Sequence, residues 1–112
     1  MPQTKTLNPL TIRQQLHLSQ ERMSHLLHVS AKTLWRWENQ QAAPHCAAQQ
    51  SLSKLKSIAE LAEKIYTPEG IETFLSTPMA EFDHLSAYNL LALGKYEPVM
   101  AALAADYEGL GY

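Results

Sequence analysis

Between Leu18 and Glu38 the chain reads LSQERMSHLLHVSAKTLWRWE, two short apolar rhythms separated by a break too brief for a loop of any size. Met23, Leu26 and Leu27 recur at the three- and four-residue spacing of one helical face, with Ser19 placed to cap that helix and Glu21 in its first turn. The rhythm stops at His28-Val29-Ser30, where the chain has to turn sharply. Val29 can drop between two helices there, and Ser30 can cap a second helix from Ala31 to about Asn39. This is a helix-turn-helix pattern. Leu34 and Trp37, three apart, face inward, which leaves Lys32, Thr33, Arg36 and Trp35 facing outward. Such a face offers cationic donors and a methyl-bearing hydroxyl to a DNA major groove.

The LSQ of residues 18–20, the Val29-Ser30 pair ahead of LWRWE and Pro44 beyond it resemble the XRE (Cro/repressor-like) DNA-binding family. The resemblance implies that Gln20, at the start of the second helix, holds a phosphate through its amide and that Arg13 lies near another. Ser30, Lys32, Thr33, Trp35 and Arg36 complete the candidate DNA-binding set. Two residues depart from the family pattern. His28 replaces a usual Gly, which puts a side chain at a left-handed turn position. Trp35 replaces a usual small residue, and an indole there can meet sugar rings or a protein partner.

Charge divides the chain in the same place as the motif. Residues 1–46 carry Lys5, Arg13, Arg22, Lys32 and Arg36 against Glu21 and Glu38, a balance of +3, whereas residues 47–112 carry four lysines against nine acids, a balance of −5. A basic front suits a DNA-facing surface, and so modest a charge calls for two copies on one DNA site, hence a homodimer. The expected organisation is a DNA-binding region over 1–46 and a helical partner-binding and dimerisation region over 47–112. β-branched residues are few and Leu, Ala, Gln and Glu abundant, so the fold class expected is all-α. A single cysteine, Cys46, excludes an intrachain disulfide. No apolar run approaches the roughly twenty residues of a membrane span and MPQTKTLN is no signal peptide, which gives the expectation of a soluble cytoplasmic protein with no membrane partner.

Taken in order, Asn8-Pro9 suits the start of a first helix running to about His17, after an N-terminal arm without periodicity. Asn39 to Gln50, with Pro44, breaks the apolar pattern and reads as a connection. Residues 51–66 give the clearest helix, its Leu52, Leu55, Ile58, Leu61, Ala62 and Ile65 forming one wide stripe that suits either core or a dimer seam. Thr67-Pro68 starts a short helix that ends near Leu75. Ser86 caps the next, AYNLLALG, which Gly94 stops. A last helix runs from about Tyr96 to Tyr107, with Val99, Met100, Leu103 and Tyr107 as its inner face, and EGLGY follows.

The FLSTP of residues 74–78, the capped NLLALG of residues 89–94 and the closing aromatic-glycine tail resemble the toxin-binding domain of Xre/MbcA/ParS-type antitoxins. The resemblance implies an antitoxin of a type II toxin-antitoxin pair that represses its own operon and neutralises a RES-domain, NAD-degrading toxin by occluding its pocket. Phe74, Leu75, Tyr107, Leu110 and Tyr112 are then the candidate toxin-binding residues. The competing reading is a stand-alone XRE-type regulator whose rear domain only dimerises. Enzyme, cofactor and metal readings find no footing: five histidines and one cysteine scatter without paired-ligand spacing, His45-Cys46 are sequence neighbours that cannot form a useful dyad, and no Gly-rich phosphate loop is present.

Overall fold

A computed structural model describes residues 7–109, and most of its helices start where the sequence supplies a reason. Helix α1 spans Pro9–Leu16, α2 Gln20–Leu27, α3 Ala31–Glu38, α4 Cys46–Ile65, α5 Pro68–Ser76, α6 Ala87–Ala92 and α7 Tyr96–Glu108. Asn8, Ser19, Ser30, His45, Thr67 and Ser86 each accept a hydrogen bond from a backbone N–H of the first turn, satisfying a donor that has no partner within the helix. At α6 the cap is reciprocal, because the Asn89 side chain returns to the Ser86 N–H at 3.2 Å. His17 and His28 end α1 and α2 in the left-handed conformation, at φ 56° and 58°, and Gly94 adopts φ 79° after α6. The left-handed turn expected at His28 is therefore present, with a side chain bearing its strain.

Helix α4 organises the packing, with α1 along one side and α7 along another. Leu52, Leu55, Ile58, Ala59 and Ala62 are all buried between them. Leu52, Leu55, Ile58 and Ala62 of the apolar stripe are thus spent within the protomer, while its Leu61 and Ile65 stay partly exposed. Helices α1, α2 and α3 form the front unit, while α5 and α6 fold back so that α6 touches both α7 and α2. Buried side chains from Ile12 to Leu103 make one continuous core through both halves.

The structure changes three further readings. The connection after α3 ends at His45 rather than Gln50, since the His45 Nδ1 accepts the Ala48 N–H at 3.2 Å and Ala48 is buried. Phe74 and Leu75, candidates for partner contact, are 7% and 3% exposed and belong to the core, with the Phe74 ring stacked on Tyr66. Tyr107 is 37% exposed and lies off the inner face of α7, where Ala102 is buried instead. The segment between α5 and α6 is ordered by an antiparallel bridge of Met79 with Leu85 around a 3-10 turn at Ala80–Phe82. No helix among the described residues is long and apolar enough to cross a membrane.

Candidate nucleic-acid interface and partner surface

The front unit is held by a carboxylate. Glu38, at the end of α3, has a side chain only 4% exposed and accepts from Arg13 Nε at 2.7 Å, Arg13 Nη2 at 3.0 Å and Gln20 Nε2 at 2.8 Å. Arg13 Nη1 donates to the Leu18 carbonyl at 3.2 Å, so α1, the α1–α2 turn, α2 and α3 meet at one hub. Fork-to-carboxylate geometry of this kind is both strong and directional. Arg13 and Gln20, expected near phosphates, are thus engaged inside the protein: Arg13 braces the unit, and Gln20 keeps only part of its amide for another partner. Glu38 itself escapes a reading of the sequence. The available signal is its register, for it falls on the same side of α3 as Leu34, and an acid on an inward arc needs donors.

With the hub fixing its inner side, α3 turns Lys32, Trp35 and Arg36 to solvent. Neither Lys32 nor Arg36 has a side-chain partner among the described residues. Ser30 Oγ accepts the Thr33 N–H at 3.0 Å and donates to Thr33 Oγ1 at 3.0 Å, so these two candidates cap the helix with the Thr33 hydroxyl proton still available. Trp37 packs inward, edge-on to the His45 ring at 5.4 Å between centroids. His25 and His28 are exposed beside the turn, and among the described residues no three His, Cys, Asp or Glu side chains converge as a metal site would require.

Two tyrosines tie the halves and the rear together. The Tyr88 hydroxyl on α6 donates to the Arg22 carbonyl on α2 at 2.9 Å, and the Arg22 guanidinium lies 4.8 Å from the Tyr88 ring centre. Partial burial raises the Tyr88 pKa, with the Arg22 charge opposing the rise. The Tyr66 hydroxyl donates to Asp106 on α7 at 2.7 Å; burial, and then this carboxylate, push its pKa up to about 12. Beyond it, Tyr107 lies under the Lys64 ammonium at 5.9 Å on the outer side of α7. Leu110 and Tyr112, the remaining candidates for partner contact, lie outside the described residues.

No family model matches this chain, and no curated protein matches it either. Among solved structures it superposes on a chain from the crystal structure of the M. tuberculosis MbcT-MbcA toxin-antitoxin complex, at 20% identity and a TM-score of 0.81. The two chains share one fold. The likeness covers 99% of this chain and 100% of the other, so it includes the front unit, the rear unit and the way they are joined.

Proposed function

We propose that this protein is an antitoxin of a type II toxin-antitoxin pair, with its rear surface binding a cognate toxin and α3 binding operator DNA. The observation that carries the reading is the full-length likeness to a chain of a toxin-antitoxin complex, at both ends of the sequence and in the joint between them. Helix α3 supports the DNA half, because it is held from behind by Glu38 and presents forward two exposed cations, Lys32 and Arg36, that have no side-chain partner among the described residues. DNA contact falls to Lys32, Arg36, Thr33, Trp35 and the free part of Gln20. The toxin surface is drawn from Tyr107 and the tail with Leu110 and Tyr112, since Phe74 and Leu75 are committed to the core. By the sequence resemblance the toxin is of the RES-domain, NAD-degrading kind. The protein itself has no catalytic role in this reading.

The competing reading is a stand-alone regulator whose rear region only dimerises; on α4, Leu52, Leu55, Ile58 and Ala62 are buried in the protomer, which leaves only the partly exposed Leu61 and Ile65 of that stripe for such a contact. A dimer on DNA is still required by the small front charge, with two recognition helices about 34 Å apart, and a palindromic site would supply that spacing. Co-expression with the product of a neighbouring toxin-like reading frame tests the proposal. The full-length chain is expected to co-purify with that product and restore both growth and cellular NAD. A chain lacking Glu108 to Tyr112 is expected to fold and bind DNA but to neutralise poorly, because an aromatic such as Tyr112 in a partner pocket is worth about 2 kcal/mol or more. Full toxicity in the presence of well-folded, abundant full-length protein would refute the antitoxin assignment.

A further inference from the structure

Three large apolar side chains are open to solvent among the described residues: Trp35, Leu93 and Tyr107. Leu93 stands singly at the α6–α7 corner, as surface leucines commonly do. Tyr107 is partly covered by Lys64. Trp35 differs from both, because its indole is 43% exposed on the helix that carries Lys32 and Arg36 as its outward charges. With about 3.6 residues per turn, the exposed arc of α3 runs from Thr33 through Arg36 and Lys32 to Trp35. The cations occupy its middle. Trp35 stands at the edge nearer Glu38, whose carboxylate is held by Arg13 of α1 and Gln20 of α2. Its backbone is fixed as well: the Trp35 carbonyl accepts from Asn39 Nδ2 at 2.8 Å and from the Asn39 N–H at 2.9 Å.

We propose that Trp35 is a specificity-determining residue that reads thymine in the major groove, an inference that rests on the DNA-binding role given to α3 above. The ammonium and guanidinium in mid-face can be served by any phosphate or by guanine, whereas an indole can give either of them only its one N–H and leaves its apolar ring unmatched. It offers an apolar ring and one N–H donor, with no acceptor. Thymine alone among the four bases sets a methyl group beside an acceptor, O4, on its major-groove edge, and so matches both features. Cytosine presents a donor there, to which the indole N–H has nothing to give.

The test uses full-length protein and duplexes selected by it from a randomised library, with each thymine in turn replaced by uracil. Uracil keeps O4 and the pairing but lacks the methyl. At one thymine per half-site the replacement is expected to weaken binding roughly fourfold, the worth of one buried methyl group. In Trp35→Ala that penalty should vanish, while overall affinity falls and folding is unchanged. Binding that tolerates uracil at every position overturns the assignment of Trp35 and leaves DNA binding standing, as does a penalty that persists undiminished in Trp35→Ala. Failure to enrich any duplex overturns the DNA reading itself, and this inference with it.

Discussion

The front and rear of this protein share one apolar core and differ in the polar device that the front adds to it. In the front, three helices of eight residues each bury Leu16, Met23 and Leu34 and also meet at a nearly buried carboxylate with two donating side chains, whereas the rear packs α4 against α7 through apolar side chains at close to zero exposure. Short helices have little apolar area to share, so direction must come from hydrogen bonds of fixed geometry. The 20-residue α4 needs no such device, because it can bury a stripe along most of its length. It follows that the angle of α3, and hence what it presents, depends on a few polar atoms as well as on the packing of Leu34 and Trp37, while the platform behind it depends on volume. Tyr88 is one place where the two touch, beside the packing of α1 on α4 and the hydrogen bond from Gln15 to Glu63.

That contrast can be broken in a graded way. Arg13→Ala should be the most damaging change, because it leaves the Glu38 carboxylate buried with Gln20 as its only side-chain donor; about 3 kcal/mol of stability should disappear in denaturant unfolding. Replacing both partners, as Arg13→Met with Glu38→Met, should recover most of that deficit, since no buried charge is then uncompensated. A double variant as unstable as the single one would show that the hub acts by packing alone. In the rear, Leu103→Ala should cost about 2 to 3 kcal/mol, and no second-site polar change should restore it, because the deficit is a cavity. The smallest effect belongs to Tyr66. Its pKa is raised above the unfolded value, so its contribution is present below about pH 10 and fades as pH climbs through about 12. Tyr66→Phe should therefore flatten the alkaline limb of the stability curve, and an unaltered limb would assign that limb to other groups.

Much of the fold is legible from the residues because its boundaries are local. Asn8, Ser19, Ser30, Thr67 and Ser86 declare the starts of five helices, and His28 and Gly94 declare two stops. His45 declares nothing of the kind, because an imidazole acceptor is an uncommon cap, and the start of α4 is hidden with it. The candidate site is harder to read, for its residues depend on partners distant in sequence. Arg13 and Glu38 are separated by 25 positions, so nothing local reveals that the arginine is engaged. The α4 stripe likewise looks available until α7, far along the chain, packs against it. Phe74 and Leu75 illustrate the same limit: position in a motif says little about burial when the covering elements, α4 with Tyr66 and α6, lie elsewhere in the chain.

Separate front and rear faces make a sharp demand on the double variant Lys32→Ala/Arg36→Ala, assayed in parallel for DNA binding and for toxin neutralisation. Both side chains are exposed and unpartnered among the described residues, so the protein should keep its stability. Operator binding should weaken, with a salt dependence shallower by about one for each phosphate that the variant no longer neutralises, while neutralisation of the toxin stays undiminished. Disappearance of both activities in a folded protein, or wild-type DNA affinity with its salt dependence intact, would contradict the division of labour between α3 and the rear surface.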